Sequence, residues 1–360
     1  MLNLPMALAG ANSEDISIPQ WKFSHLGQAS LLDSIEGFRH QLFTVIICTH
    51  SMQRYIDTLD SINSVLSQSH DKVEIIVVVD RNPEIYEKLR RHYTGNPLVV
   101  VLLNKDFPGL SGSRNVGIIQ SKGEFIAFLD DDAVADPYWL SQLLKTYEDY
   151  QVIGCGGPIR PLWITGEAEY IPEEFYWVMG CTYRGFKNER RAIRSNFGSN
   201  MSFRRAAFEV DAFDVRYGIM DGKGVGEELE FSLRLLKRHP SSVIIHNPDS
   251  IVYHKIFSYR KSVRHLFKRC FEYGKGIGQH AKAIEDLPPQ VEKDDKNMVD
   301  FLLFESIPSR ISNIFKRKDV RKGTFFNELA RLTLIGFSST LIVSGIARGR
   351  LLKYVRRSHR

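Results

Sequence analysis

The sequence has little cysteine: four residues in 360, at Cys48, Cys155, Cys181 and Cys270. None are spaced as a CxxC pair, which excludes a zinc knuckle or a dithiol redox motif. Nothing in that pattern demands an oxidising compartment, and Cys48 and Cys155 lie in or beside apolar runs as small core residues. The N-terminus lacks a charged stretch ahead of an apolar one, so no signal peptide is expected and the chain reads as cytoplasmic. Internal repeats and long low-complexity linkers are also missing, which excludes a repeat array or a mainly disordered chain.

What is present is ordinary for a folded protein: 43% hydrophobic and 25% charged residues, enough for one large domain or two smaller ones. The net charge of +6 is uneven. Charges roughly balance up to Lys316, and beyond it Lys and Arg far outnumber acids. That basic tail flanks Leu332 to Ala347, about sixteen residues without a charge. A membrane span needs roughly 20 apolar residues, so lying in an anionic membrane interface is the expectation, against a core helix with a solvated tail. Nucleic acid is not expected as a partner. Ile307 to Lys318, with Arg310, Lys316, Arg317 and Lys318, reads as a second surface helix.

Short Val/Ile-rich runs begin at Phe43 (FTVIIC), Val73 (VEIIVVVD), Pro97 (PLVVVLL) and Phe125 (FIAFLDDD). Helical spacing separates them, as at Leu59, Ile62 and Leu66. The alternation predicts βαβ units and a mostly parallel sheet with helices on both faces. Further strands are expected near Gly154, Gly198 to Phe203 and Ser242 to His254, with helices over Glu227 to Leu236 and Val263 to Tyr273. The chain divides into an N-terminal extension (1–40), an α/β domain (41–280) and a C-terminal helical region (281–360), with an exposed connector around Glu285 to Lys296.

The run Asp130-Asp131-Asp132 closes the fourth strand. Three carboxylates at one strand end repel unless a cation shares the site, or else they form an acidic loop capping the next helix. Mg²⁺ and Mn²⁺ take carboxylate oxygens and bridge to phosphates. Asp80 ends the second strand, where a helix-capping acid is one reading. GLSGSRNVGI (Gly109 to Ile118) places Arg114 and Asn115 at a helix start suited to anions, or to a salt bridge and a loop-pinning amide. Glu227 and Glu228 open a later helix after Gly222, Gly224 and Gly226, and VYHKI carries His254.

This ordered set resembles the family 2 glycosyltransferases of GT-A fold, over about Phe43 to Gly278. The resemblance implies a nucleotide-sugar donor, UDP ahead of GDP, and Mn²⁺ or Mg²⁺ held by Asp132, Asp130 and His254. It places Thr49, Arg54, Asp80, Arg114, Asn115, Asp130 and Asp131 around the donor. In such enzymes Glu228, or its neighbour Glu227, would take the proton of the attacking hydroxyl in an inverting reaction. The family often continues the second strand as Asp-Asp-Gly-Ser; here Asp80 is followed by Arg81-Asn82-Pro83. The stretch Tyr259 to Gly278, with Arg260, Arg264, Lys268, Arg269 and Lys275, resembles the same region in members acting on lipid-linked or membrane-proximal acceptors, which implies a phosphate-binding or membrane-facing helix; the other reading is a solvated basic face. The expected acceptor is a glycan or a polyprenyl-linked sugar, and the expected location is peripheral on the cytoplasmic membrane face. Two rivals are a non-catalytic scaffold subunit, opposed by the intact acids, and a sugar nucleotidyltransferase. The latter would want a glycine-rich phosphate loop where Cys48-Thr49-His50-Ser51 stands.

Overall fold

The computed structural model describes residues 41–209, 211–217, 226–287, 291, 298, 300–316 and 322–358. The 1–40 extension, Gly222, Gly224 and most of the Glu285 to Lys296 connector lie outside them. Strands β1 (Phe43–Thr49), β2 (Val73–Asp80), β3 (Val99–Asn104) and β4 (Phe125–Asp130) form where sequence runs are apolar on both faces. They alternate with helices α1 (Tyr55–Leu66), α2 (Pro83–His92) and α3 (Leu110–Gln120). Helix α2 starts where Asn82 Oδ1 accepts from the Ile85 N–H and Pro83 presets the first turn.

After β4 come β5 (Ala133–Ala135), α4 (Trp139–Tyr147), β6 (Val152–Gly156), β7 (Ile159–Trp163), β8 (Arg191–Ile193) and β9 (Met201–Arg204). Then follow α5 (Glu227–Arg238), β10 (Val243–His246), β11 (Val252–Ile256) and α6 (Val263–Glu285). The main sheet has the order β3-β2-β1-β4-β9-β6-β10-β8, and a small one has β5-β11-β7. The β3-β2-β1-β4 block is parallel, and β9 is antiparallel to both β4 and β6.

Alternate residues of β1 separate the two cores. Phe43, Val45 and Ile47 pack with Ile62, Leu89, Trp139 and Leu143 from α1, α2 and α4. Ile46 packs on the other face with Ile118, Phe208, Phe213, Phe231 and Leu235. Period-two alternation between two apolar layers is what a sheet covered on both faces requires.

Two expectations for the C-terminal region change. Helix α7 (Ile307–Lys316) is not a plain surface helix: Arg310 is 2% exposed. Its guanidinium donates to Glu174 at 3.0 and 2.8 Å and to Glu328 at 2.9 Å. A guanidinium fork satisfied on both sides can be buried where a single cation could not. The uncharged segment 332–347 is only the middle of α8 (Lys322–Ser358), whose stretch Phe325–Leu352 is long and apolar enough to cross a membrane.

Helix α8 packs lengthwise on α6. A Cβ at Gly274 or Gly278 would fall 2.1 or 2.2 Å from the carbonyl oxygens of Ile342 or Ile346. One at Gly345 or Gly349 would fall 2.3 or 2.1 Å from those of Phe271 or Lys275. The four glycines, at four-residue spacing on each helix, are what lets the backbones touch.

Candidate active site

The parallel register decides which strand ends meet. Cys48 of β1 lies level with Asp130 of β4, and Thr49 with Val79 of β2. Thr49, Asp80 and Asp130 therefore end three adjacent strands at one edge. The connections diverge between β1 and β4, and a crevice at that switch point is where open α/β sheets bind ligands.

Past Asp130 the chain turns into β5, which pairs antiparallel with β11 and sets His254 opposite Ala133. The Lys255 N–H donates to the Asp132 carbonyl at 2.9 Å. His254 Nε2 then stands 3.1 Å from Asp132 Oδ1 and 4.0 Å from Asp130 Oδ2. One ligand atom from each of the three residues lies within 4.8 Å of the others. Two carboxylates and an imidazole fit a divalent cation, and the nitrogen favours Mn²⁺ over Mg²⁺.

The carboxylates differ in charge state. Burial opposes ionisation of Asp132, but His254 and Arg260 beside it hold its carboxyl well below the usual range. Burial raises Asp130, and the Arg114 charge offsets it only in part. Asp131 is pushed up to about 8 by burial and by the Asp132 charge, against a hydrogen bond from Thr49. A cation held by Asp130 and Asp132 would favour the ionised forms.

Three arginines converge on this cluster. Arg260 donates to Asp132 Oδ2 at 2.9 Å and to the Met179 carbonyl at 3.0 Å. Arg54 lies 3.3 Å from the same Asp132 oxygen, 4.2 Å over the Phe257 ring, and donates to the Tyr259 hydroxyl at 2.9 Å. Arg114 is buried, 3.7 Å from Asp130 Oδ1. In the sequence Arg260 falls in a basic run that continues into a helix. It precedes α6, and only the fold of that turn aims it inward, so no local motif marks it.

The remaining residues divide by what holds them. Asp80 Oδ2 accepts from the Gly109 N–H at 3.1 Å, a turn with φ near 90° that suits glycine. Asn115 donates to the Phe213 carbonyl at 2.8 Å and accepts from the Phe213 N–H at 3.0 Å. Its buried amide is thus spent pinning the 211–217 segment to α3, which favours the pinning role over donor contact.

Glu227 and Glu228 form the first turn of α5, entered through Gly226 at φ 92°. Arg114 NH1 donates to Glu227 Oε1 at 2.8 Å, with both side chains nearly sealed from solvent. Glu228 instead lines a pocket of about 130 Å³ between α5, α6 and the 177–197 segment. Its carboxyl is pushed up to about 8 by burial and then by the Glu227 charge. Neighbouring acids with separated environments suit separate roles, one neutralised by an arginine and one poised to exchange a proton.

A family model described as glycosyl transferase family 2 matches residues 44–211. The chain is 34% identical to the glucosyl-dolichyl phosphate glucuronosyltransferase of Haloferax volcanii over 275 residues, 75% of this chain and 86% of that protein. It is 24% identical to the succinoglycan biosynthesis protein ExoM of Rhizobium meliloti over 65% of this chain and 73% of that one. A mannosyltransferase from Pyrobaculum calidifontis, solved with GDP-Man and Mn²⁺, shares the fold with a TM-score of 0.55 at 15% identity, over 85% of this chain and 86% of that one. With this sheet, this crevice and these relatives, the chain belongs to the family 2 glycosyltransferases, built on the GT-A fold.

Proposed function

We propose that the protein is an inverting, divalent-metal-dependent glycosyltransferase that moves a sugar from a nucleoside diphosphate donor, UDP-linked, to a hydroxyl of a lipid-linked glycan. The observation that carries this is the division of labour between the two α5 acids. Arg114 neutralises Glu227, while Glu228 faces an open pocket with a raised proton affinity. Glu228 accepts the acceptor hydroxyl proton as that oxygen bonds to C1 of the sugar and the bond from C1 to the diphosphate oxygen breaks. Attack from the face opposite the leaving group inverts C1.

Asp130, Asp132 and His254 would hold the cation, Mn²⁺ ahead of Mg²⁺. Bound there, it supplies Lewis-acid neutralisation of the leaving diphosphate. Arg54, Arg114 and Arg260 add fixed positive charge around the same carboxylates. Thr49 and Asp80, at the ends of β1 and β2, frame the nucleoside.

A lipid-linked acceptor is supported by the Haloferax relative, whose name specifies a glucosyl-dolichyl phosphate, and by the exposed apolar face of α8. Phe326, Leu329, Phe337, Val343 and Leu351 are all exposed along it. Helix α6, bound to its opposite face, carries Arg264, Lys268, Glu272 and Lys275, so the pair would lie on the bilayer rather than cross it. The four free cysteines suit the reducing, cytoplasmic side.

The test is transfer from a panel of UDP- and GDP-sugars with Mn²⁺ to polyprenyl phosphate glycans, with the product anomer assigned by NMR. An inverted product from a UDP-sugar is expected. Retention of configuration, or no transfer from any donor, would overturn the proposal.

A further inference from the structure

A tight turn of 3₁₀ helix, Ser258–Lys261, joins β11 to α6. Ser262 fixes the junction: its Oγ donates to the Tyr259 carbonyl at 3.1 Å and accepts from the His265 N–H at 3.2 Å. The turn leaves the Tyr259 side chain half exposed beside the aspartate cluster. Its phenol oxygen accepts from two arginines at once, from the Arg54 guanidinium at 2.9 Å and from Arg260 Nε at 2.8 Å. These are the same two arginines that reach Asp132 Oδ2, at 3.3 and 2.9 Å. Arg54 and Arg260, far apart in the chain, thus meet at two oxygens, one anionic and one neutral. The Phe257 ring lies under Arg54, and it is nearly parallel to the Tyr259 ring, at 11°.

Two guanidinium groups held this close repel each other. A second carboxylate would hold them together, but it would cancel charge that a phosphate needs. A phenol oxygen accepts from both and adds no charge. We propose that Tyr259 is a positioning residue for the donor: its hydroxyl holds Arg54 and Arg260 side by side, so that together they pair with the two phosphates of the nucleoside diphosphate. Each arginine presents a planar fork, and two forks at a fixed spacing suit two linked phosphates better than one. Tyr259 acts through the arginines and not on the reacting atoms. The proposal rests on the reading of a nucleoside diphosphate donor, and it adds the group that turns two separate cations into one clamp.

The test is calorimetric titration of full-length wild type and Tyr259→Phe with UDP and with UMP, each in saturating Mn²⁺. Tyr259→Phe keeps the half-exposed ring and removes only the hydroxyl, so the melting temperature should stay at the wild-type value. UDP affinity should fall about tenfold, the scale of a lost hydrogen bond to a charged group, while UMP, with one phosphate, should lose less than about twofold. A merely structural role would weaken both nucleotides equally, and that result overturns the proposal. In an Arg54→Met background, which lacks one of the two cations, Tyr259→Phe should cost UDP binding clearly less than it costs wild type. Additive losses would show that the hydroxyl acts apart from the arginines. UDP binding that is the same in wild type and Tyr259→Phe overturns the proposal alone. Wild type that binds neither UDP nor GDP overturns the donor reading, and the proposal with it.

Discussion

Arg114 and Glu227 form a buried ion pair, 2.8 Å apart, that joins the helix after β3 to the helix carrying the acid pair. The same guanidinium reaches Asp130 at 3.7 Å and the Gly198 carbonyl at 3.3 Å. It therefore ties the strand-end carboxylates to α5. Removing one partner of a buried pair leaves the other charge stranded, at a cost of about 3–5 kcal/mol. Arg114→Met is expected to destabilise the fold by that order, and Arg114→Met with Glu227→Gln by clearly less than the sum of the single changes. Chemical denaturation of the four proteins measures the coupling. Additive losses would show that the pair is not a unit.

Glu228 gives a pH signature. A base must be deprotonated to accept the hydroxyl proton, so kcat should rise with pH and level off above about 8, the value to which burial and Glu227 push it. Glu228→Gln should lower kcat by roughly 10²–10⁴ and remove that limb, with donor affinity retained. The stability effect runs the other way. Because the folded pKa lies above the unfolded one, the contribution of Glu228 is fully present below the ordinary glutamate range and is lost as pH rises through about 8. Glu228→Gln should flatten the fall in melting temperature across that window. If Glu227→Gln abolishes the limb instead, the base is Glu227.

Asp132 is the group on which His254, Arg54 and Arg260 all converge. Asp132→Ala should abolish Mn²⁺-stimulated transfer while circular dichroism stays native. His254→Ala should weaken activation by Mn²⁺ more than by Mg²⁺, because it removes the nitrogen ligand that favours the transition ion. Chelation should silence the wild type and Mn²⁺ should restore it. Full turnover in excess chelator would sink the metal assignment.

The outer face of α8 predicts how the protein meets a bilayer. Replacing exposed Phe337 and Val343 together by Ser should release the protein from anionic vesicles in flotation without changing its melting temperature. Exposed residues contribute little to the fold, and their apolar area is what the interface buries. Gly345→Leu should do the reverse and destabilise the fold, since its side chain would run into the Phe271 carbonyl. Unchanged flotation of the double variant would place membrane contact elsewhere.

Much of this was legible in the sequence because it is local. Strands of a sheet covered on both faces must read as continuous Val and Ile runs, so β1 to β4 could be read directly, while their order in the sheet could not. An acid at the end of β2 and of β4, and an acid pair opening a helix, likewise carry their positions in the chain. The pairing of β5 with β11 could not be read this way, and it is what brings His254 to Asp132. Arg260, placed 128 positions from the Asp132 carboxylate it binds, looked like part of a basic face. Arg310 looked like a surface cation, although Glu174 and Glu328 bury it. The uncharged core of α8 looked too short to matter beyond an interface, because charge marks where a helix turns polar and not where it ends.

The sequence by itself determined the alternation of strands and helices, the crevice edge with its aspartates, and the two acids opening α5, since each depends on neighbours a few residues apart. Only the tertiary structure decided which acid is neutralised, which arginines face the aspartates, and which segments line the Glu228 pocket. Those depend on side chains far apart in the chain, and a charge takes its meaning from the partner that packing sets beside it.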